Sequence, residues 1–454
     1  MKYTSINPTS GKVLKKYTTL KDRELEEALQ SAEFAFDINR TSTPSIRANR
    51  LLELLEEIEK HKEELAHLIT VETGKPIKES LSEIEKCKAI CTYYAENAAD
   101  FLADKHIETD FRESIVQLSP EGIILGIMPW NHPFWQVFRF VIPTITAGNS
   151  VLVKPAPNVP QCALAIEKLF KDAHFPEGVY QNIFATNEQV STLIADDRIQ
   201  GVTLTGSVKA GKTIGEQAGR HIKKCVLELG GNDAFIVLAD ANLKEAANVA
   251  VKSRMQNAGQ SCVAAKRWIV EKSVMEPFLA IVKQQIIELQ MGDPRKLETD
   301  IGPIARKDLW DNLADQVLRA KAAGATVLLG GEKVKGNGFY FQPTLLTNVK
   351  PGNPAFEEEF FGPVAVLIEA QNVHNAIELA NDSQFGLGAS LWTTDLSKAS
   401  RLARQIEAGQ VFINEMVQSN VHLPFGGTKK SGIGRELGAF GITEFVNIKT
   451  VVVG

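Results

Sequence analysis

The residue with the clearest capacity for chemistry is Cys262, which follows Gly259-Gln-Ser at the end of an amphipathic helical pattern. Gly259 allows a sharp backbone turn, and the small residues after the cysteine leave room for a ligand. A thiol in this position is a candidate nucleophile, because its thiolate attacks carbonyl carbon once the surroundings favour ionisation. A buried structural cysteine is the alternative, and this segment alone does not decide between the two.

A candidate general base, Glu228, lies where an apolar strand pattern meets Gly230-Gly231. Leucines flank it on both sides, so the carboxylate should be partly desolvated. Desolvation raises the proton affinity of a carboxylate and suits it to general-base catalysis. The alternative is a carboxylate paired with Lys223 or Lys224.

Two further strand ends carry polar groups. Asn131 offers a neutral amide, which can stabilise an oxyanion without protonating it, although a helix cap is the usual role of such an asparagine. Gly206 and Ser207 close a strand pattern and open a helical one. Amides at a helix start suit an anionic diphosphate, although a plain tight turn explains the same residues.

These residues are spaced along a chain in which short apolar runs alternate with helical patterns. Such alternation favours parallel strands joined by right-handed crossovers, with helices covering both faces of the sheet. Ligands bind beyond the carboxyl ends of such strands, which is where the candidate residues lie. A second alternating series begins near residue 233. In the first series, strands are predicted at 122–127, 150–153, 181–184, 200–204 and 225–229.

The remaining segments carry simpler predictions. Helices are predicted at about 22–38, 45–71 and 76–103, and their charge-laced faces indicate a solvated outer layer to which we assign no chemistry. Residues 106–120 alternate like a strand pair away from the main sheet, and 445–453 alternate like a strand.

Composition limits the class of protein. A chain of 454 residues is longer than one core usually serves, so two or three domains are expected. The formal charge of −5 argues against a nucleic-acid binder, and no apolar run is long enough to span a bilayer. Five scattered cysteines do not form a disulfide framework, so we predict a cytoplasmic enzyme.

Six ordered motifs resemble the aldehyde dehydrogenase superfamily over nearly the whole chain. Within it, the sequences around residues 73–76, 128–131, 223–228 and 429–432 are most similar to bacterial succinate-semialdehyde dehydrogenases. Cys262 also follows Glu228 by 34 positions, as that family's pattern expects. The six motifs are Pro129-Trp-Asn131, Thr205-Gly-Ser207, Leu227-Glu-Leu-Gly-Gly231, Gly259-Gln-Ser-Cys262, Glu359-Phe-Phe-Gly-Pro363 and Pro424-Phe-Gly-Gly427.

The resemblance implies an α/β fold with three parts. A Rossmann-like cofactor domain would comprise 1–105 and 121–230, and an α/β catalytic domain 231–425. A small β oligomerisation region would comprise 106–120 and 434–454, giving a homodimer or a homotetramer. The expected partner is a small-molecule aldehyde, with no nucleic acid and no membrane.

The resemblance also implies the roles of the catalytic residues. Cys262 would attack the aldehyde to give a thiohemiacetal, whose oxyanion Asn131 and the Cys262 amide would hold. Hydride transfer to a nicotinamide would leave a thioester, and Glu228 would activate the water that releases the acid. Covalent capture agrees with elementary chemistry, because one thiol then serves both half-reactions.

Cofactor and substrate residues follow from the same resemblance. Pro157 stands where a carboxylate would repel a 2′-phosphate, so both NAD and NADP are admissible. Arg139 would bind the carboxylate of succinate semialdehyde, whereas Gln256 stands where related enzymes often carry a second arginine, and Asn420 would add a polar contact. The implied cofactor-binding residues are Trp130, Lys154, Gly206, Ser207, Leu229, Glu359 and Phe361.

Other activities stay open from the sequence. An enzyme for another semialdehyde or an aliphatic aldehyde is the nearest alternative. A CoA-acylating relative is disfavoured by Glu228 as a hydrolytic base. A thiol hydrolase and a non-catalytic binding relative are further alternatives, and the joint presence of Cys262, Glu228 and Asn131 argues against the second.

Overall fold

The computed structural model describes residues 2–454 and contains two large sheets and three small ones. The strands of the N-terminal half are β1 (Tyr3–Asn7), β2 (Lys12–Tyr17), β3 (Lys105–His106), β4 (Glu113–Pro120), β5 (Ile123–Ile127), β6 (Ser150–Lys154), β7 (Tyr180–Asn182), β8 (Ile199–Thr205), β9 (Lys224–Glu228) and β10 (Ala234–Val237). Those that follow are β11 (Arg267–Glu271), β12 (Thr326–Leu329), β13 (Thr344–Thr347), β14 (Val364–Ala370), β15 (Phe385–Gly386), β16 (Gly388–Trp392), β17 (Gln410–Ile413), β18 (Thr428–Lys429), β19 (Gly432–Ile433) and β20 (Val446–Val453).

The helices are distributed along the whole chain. They are α1 (Asp22–Thr41), α2 (Pro44–Thr73), α3 (Ile77–Phe101), α4 (Trp135–Thr146), α5 (Pro160–Asp172), α6 (Asn187–Ala195), α7 (Val208–Arg220), α8 (Leu243–Met255), α9 (Met275–Glu288), α10 (Lys307–Ala322), α11 (Pro354–Glu357), α12 (Val373–Asn381), α13 (Leu396–Ala403) and α14 (Gly438–Thr443). Between residues 2 and 454, no helix has the length and apolar character needed to cross a membrane.

Local sequence signals set the bounds of the long N-terminal helices. Thr43 caps α2 by accepting a hydrogen bond from the Ile46 amide, and Pro44 occupies its first turn. The helix ends at Gly74, whose φ of 79° is the left-handed conformation that favours glycine. The helices predicted at 22–38, 45–71 and 76–103 are confirmed as α1, α2 and α3.

The first large sheet has the strand order β19-β9-β8-β5-β6-β7. Strands β5 to β9 of this sheet are parallel to one another. The bounds predicted for all five agree with the structure to within two residues at each end. The short strand β19 was not predicted, and it pairs antiparallel with β9 so that Gly432 lies opposite Glu228. A segment from the C-terminal end of the chain therefore borders the candidate base.

The second large sheet has the order β12-β13-β14-β11-β10-β16-β17, and only β12 runs antiparallel to its neighbour. Buried aromatic and aliphatic side chains cover both faces, among them Phe235, Trp268 and Trp392. The near-continuous apolar strands of this sheet are typical of parallel strands shielded by helices on both sides.

The third sheet has the order β20-β4-β3. The sequence predicted two paired strands within 106–120, but the structure has only one long strand there, β4. Its partner β3 has only two residues, Lys105 and His106. The main partner of β4 is the C-terminal strand β20, which pairs with it over eight residues from Val446 to Val453. Ile448, Val451 and Val452 of β20 stay exposed.

Candidate active site

The segment before Cys262 turns through three consecutive residues with positive φ. Asn257, Ala258 and Gly259 have φ angles of 52°, 50° and 73°. A Cβ atom on Gly259 would lie 2.2 Å from the Gly362 carbonyl oxygen, so only glycine fits there. This turn directs the chain from the end of α8 into a cleft, as the sequence predicted for Gly259.

Cys262 is a free, partly buried cysteine on the wall of that cleft. Burial raises the pKa of its thiol to about 11, while the positive charges of Arg139 and Lys266 act in the opposite direction. Cys87 and Cys91, by contrast, are fully buried in the core. The Cys262 thiol is therefore protonated near neutral pH in the resting protein and needs a base to ionise.

Lys266 ties the peptide of Cys262 to a distant acidic residue. Its Nζ donates hydrogen bonds to the carbonyl oxygens of Ser261, at 3.0 Å, and Cys262, at 2.6 Å. The same ammonium lies 3.2 Å from Glu359 Oε1. The Gly231 amide donates to that oxygen too, at 3.1 Å. Glu359 is thereby held between the loop after β9 and the nucleophile segment.

Glu228 occupies the end of β9 as a buried carboxyl. Neither of its oxygens has a hydrogen-bond partner among residues 2–454. Burial holds the pKa of Glu228 well above its ordinary value, the negative charge of Glu436 raises that pKa further, and Arg139 opposes both effects. An acid with a raised pKa and unused oxygens is suited to general-base chemistry.

The alternative pairing of Glu228 with a neighbouring lysine is wrong. Lys223 instead donates to the Asp196 carbonyl oxygen at 3.1 Å, and Lys224 lies 3.7 Å from Glu444. Lys224 lies four residues before Glu228 in β9, about 13 Å away along the strand at ~3.3 Å per residue.

Asn131 is hydrogen-bonded to the nucleophile segment through both its side chain and its backbone carbonyl group. Its Nδ2 donates to the Gln260 carbonyl oxygen at 3.1 Å, and its own carbonyl oxygen accepts from Asn257 Nδ2 at 2.9 Å. The loop after Glu228 also packs against this segment, since a Cβ atom on Gly231 would lie 2.7 Å from the Cys262 carbonyl oxygen. The structure therefore brings the loops that carry Asn131 and Glu228 to the Cys262 segment, although neither residue lines the cleft itself.

Arg139 lies on the buried helix α4 and lines the cleft with Cys262. Its guanidinium forms an ion pair with Glu436 and lies 4.3 Å from the centroid of the Phe425 ring. The Nη2 atom is buried without a hydrogen-bond partner among residues 2–454. Glu436 was not predicted, and its only signal in the sequence is an acidic residue in a glycine-rich, apolar tail.

One sequence expectation about α3 is wrong, because this helix is not only an outer layer. Its residues Glu79, Ser82, Glu83 and Lys86 line the same cleft, at the spacing that places residues on one helical face. Glu79 also accepts a hydrogen bond from the Asn257 amide at 2.7 Å. Burial raises the pKa of Glu79 to about 7. The sequence of α3 did not indicate this, because its polar residues are spread along a charge-rich helix and do not mark the face that lines the cleft.

The two remaining candidates for substrate binding, Gln256 and Asn420, differ in their position relative to the cleft. Gln256 lines the cleft, whereas Asn420 does not. Asn420 is exposed, and its side-chain oxygen accepts from the His422 amide at 2.9 Å in a local turn. The neighbouring segment from 416 to 419 lines the cleft in its place.

The predicted cofactor residues Lys154 and Ser207 both lie at carboxyl ends of the first sheet. Lys154 is buried, and its ammonium has no ion pair or hydrogen bond with residues 2–454; its Nζ lies 5.8 Å from the centroid of the Tyr3 ring. Burial lowers the pKa of Lys154 to about 8. Ser207 caps α7 by accepting from the Ala210 amide at 3.3 Å, beside Gly206. A buried cation without a protein partner fits a ligand that carries hydroxyl and phosphate groups.

The other cofactor candidates lie around the loop after β9. The rings of Trp130 and Phe361 meet edge to face at 5.8 Å. Leu229 is buried and packs on α7, where a Cβ atom on Gly211 would lie 2.5 Å from a Leu229 methyl group. Trp130, Phe361 and Leu229 offer apolar surfaces of the kind that a flat heteroaromatic ring requires.

Comparison with known proteins identifies the class. The model of the aldehyde dehydrogenase family matches residues 1–451, so this protein belongs to the aldehyde dehydrogenase family. The predicted superfamily, the α/β fold class and the assignment as an enzyme are confirmed.

Individual relatives extend over the whole chain. It is 47% identical over 451 residues to a probable NADP(+) succinate-semialdehyde dehydrogenase of Synechocystis sp., covering 99% of both chains. It is also 47% identical to an Escherichia coli NAD(P)+ succinate semialdehyde dehydrogenase, covering 98% of this chain and 97% of that one. The crystal structure of a Streptococcus pyogenes succinic semialdehyde dehydrogenase in complex with NADP+ superposes with a TM-score of 0.97, at 34% identity and 99% coverage of both chains.

Proposed function

We propose that this protein oxidises succinate semialdehyde to succinate with NADP or NAD, through covalent intermediates on Cys262. The observation that carries the proposal is one cleft that contains both the Cys262 thiol and Arg139, whose buried Nη2 has no hydrogen-bond partner among residues 2–454. The names of the Synechocystis and Escherichia coli relatives support the same substrate and both cofactors.

In the first half-reaction, the Cys262 thiol gives its proton to water in the cleft, and the resulting thiolate attacks the aldehyde carbon to form a thiohemiacetal. The carbonyl π electrons move to oxygen, and the amide of Asn131 with the Cys262 backbone N–H stabilises the resulting oxyanion. A bound nicotinamide supplies the chemistry of hydride acceptance. In this step the substrate carbon is oxidised and a thioester remains on Cys262.

In the second half-reaction, Glu228 takes a proton from water while that water attacks the thioester carbon. The carbon–sulfur bond then breaks, the Cys262 thiolate leaves, and the carboxylic acid is released. The raised pKa of Glu228 matches this role, because a stronger base accepts the proton more readily.

We assign cofactor binding to two regions of the chain. Lys154 would contact the adenosine ribose, or its 2′-phosphate in NADP, and the amides after Gly206 and Ser207 would bind the diphosphate. Glu359 would bind the nicotinamide ribose, with Trp130, Leu229 and Phe361 surrounding the ring. Residues 1–105 and 121–230 would thus form the cofactor domain and 231–425 the catalytic domain.

Arg139 would bind the substrate carboxylate through its free guanidinium nitrogen. A charge-assisted hydrogen bond of this kind is stronger than a neutral one and would select an acidic aldehyde. Gln256 would add a neutral contact, whereas Asn420 would act through the turn that shapes the segment 416–419.

Assembly and location form a further part of the proposal. The exposed side chains of β20 support association of copies through the sheet formed by 106–120 and 434–454, as a homodimer or homotetramer. Five free thiols support a reducing location, the cytoplasm.

The decisive experiment compares the wild-type enzyme with Cys262→Ala over a panel of aldehydes and both cofactors. We expect succinate semialdehyde to be the best substrate of the wild type. The variant should lose aldehyde-dependent cofactor reduction but bind the cofactor normally. Turnover by Cys262→Ala, or a wild type that prefers glutarate semialdehyde or an aliphatic aldehyde, would contradict the mechanism or the substrate assignment respectively.

A further inference from the structure

Lys86 is a second cation on the wall of the cleft that contains Cys262. It lies on α3, one turn beyond Ser82, on the face that also carries Glu79 and Glu83. The neighbouring helix α4 also lines this cleft, through Trp135, Gln136 and Arg139. Two positively charged side chains from two helices therefore face one substrate-sized space.

The ammonium of Lys86 has no ion pair and no hydrogen bond with residues 2–454. Its Nζ lies 5.9 Å from the centroid of the Trp135 ring, and the side chain is partly buried. Burial lowers the pKa of Lys86, the charge of Glu83 raises it, and Lys75 and Arg139 lower it further. A partly desolvated cation of this kind gains stability from an anionic ligand.

The acidic neighbour of Lys86 is already committed elsewhere. Glu83 forms a buried ion pair with Lys75 through Oε2. Its Oε1 accepts hydrogen bonds from the amides of Phe134, at 2.9 Å, and Trp135, at 3.0 Å, where α4 begins. Both oxygens of Glu83 are therefore already bonded, one to Lys75 and one to the start of α4, and neither is bonded to Lys86.

The other basic group of the cleft is partly neutralised. Arg139 forms an ion pair with Glu436, so its net contribution to anion binding is reduced. Gln256, which also lines the cleft, is uncharged. A dianionic product and a monoanionic substrate would therefore find one unpaired cation on the wall, which is Lys86.

We propose that Lys86 Nζ binds the carboxylate of the semialdehyde and, together with Arg139, determines the preference for acidic over neutral aldehydes. The proposal rests on the proposed function, since it requires a substrate that carries a carboxylate at the end opposite to the aldehyde. Ser82 and Gln256 line the same cleft and offer neutral donors to the same group.

The test compares Lys86→Met and Lys86→Gln with wild type, using succinate semialdehyde and butanal, a neutral aldehyde of the same carbon number. Loss of one charge-assisted hydrogen bond should raise KM for succinate semialdehyde about 10-fold or more. We expect kcat to stay within about twofold and the kinetics with butanal to be unchanged, because the interaction is made equally in ground and transition states. Lys86→Arg should restore most of the affinity.

Lys88→Met is the matched control on the same helix. Lys88 is directed to the surface, where it pairs with Glu59 and Glu85, so its loss should leave both substrates unaffected. An unchanged KM for succinate semialdehyde in both Lys86 variants, or equal losses with the two aldehydes, would overturn the proposal. A wild-type enzyme without any preference for succinate semialdehyde over butanal would instead refute the proposed function.

Discussion

The guanidinium of Arg139, which lines the cleft that contains Cys262, forms a buried ion pair with the carboxylate of Glu436. Both charges also act on Glu228, in opposite directions: Glu436 raises the pKa of Glu228 and Arg139 lowers it. With the proposed roles of Arg139 and Glu228, this ion pair would couple binding of the substrate carboxylate to the pKa of the base.

The first prediction is that Glu436→Gln shifts the acidic limb of the pH profile of kcat. Glu228 must be ionised to accept a proton, so activity falls as pH drops below its pKa. Removing the negative charge of Glu436 lowers that pKa, and the limb should move by about one unit to lower pH. Steady-state rates between pH 5 and 9, at saturating substrates, measure the shift; movement toward higher pH would contradict the electrostatic account.

The second prediction separates the two half-reactions through Glu228→Gln. The amide cannot accept the water proton, so the thioester should accumulate on Cys262. We expect a rapid burst of reduced cofactor equal to the concentration of active sites, followed by turnover slowed about 100-fold or more. Stopped-flow absorbance measures the burst, and intact-protein mass spectrometry detects the acyl group. A variant without a burst would indicate that Glu228 is needed for a step that precedes formation of the thioester.

The third prediction concerns Lys154 and NADP. Burial lowers the pKa of Lys154 to about 8, so its positive charge is present below pH 8 and is lost as pH rises through that value. The ratio of kcat/KM for NADP to that for NAD should therefore fall by up to about tenfold between pH 7 and 9.5, because NAD has no 2′-phosphate. Lys154→Arg keeps its charge over this range and should make the ratio independent of pH.

A fourth prediction concerns the position of Glu359. A Cβ atom on Gly230 would lie 2.2 Å from Glu359 Oε2, so Gly230→Ala should displace that side chain from its contacts with Lys266 and Gly231. We expect KM for both cofactors to rise about 10-fold with little change in melting temperature, since the displaced atoms belong to a flexible side chain. Gly219→Ala is the control, because no atom lies within 4 Å of its added Cβ.

The fifth prediction concerns stability. Lys75 and Glu83 form a buried ion pair, and Lys75 Nζ also lies 2.9 Å from His132 Nδ1. Lys75→Met leaves Glu83 as a buried charge without its cation, which should lower the free energy of unfolding by about 3–5 kcal/mol. Urea denaturation measures the change. Lys62→Met breaks an exposed pair with Glu85 and should have little effect.

Much of the fold could be predicted from the sequence because its elements carry strong local signals. Strands β5 to β9 are short apolar runs between helical patterns, and α2 has an N-cap, a proline in its first turn and a terminating glycine. The principal partner of β4 is more than 300 residues away in β20, and exposed valines give no local sign of which strand they join.

The site divides in the same way. The turn before Cys262 could be predicted because Gly259 has a conformational signature, and Glu228 because leucines flank it. Glu436 and the inward face of α3 could not, since their function comes from burial by distant segments. Asn420 shows the opposite error, because its type suggested a ligand contact while its side chain closes a local turn.

The three contacts of Lys266 connect the nucleophile segment directly to Glu359. A single ammonium group holds the peptide oxygen of the nucleophile and the carboxylate assigned to the nicotinamide ribose, each within 3.2 Å. A shift of that carboxylate when the nucleotide enters would pull directly on the backbone beneath the sulfur. Nucleotide binding would in this way activate the thiol, and the nucleotide would therefore bind before the aldehyde. This coupling requires only the Lys266 side chain and no movement of whole domains.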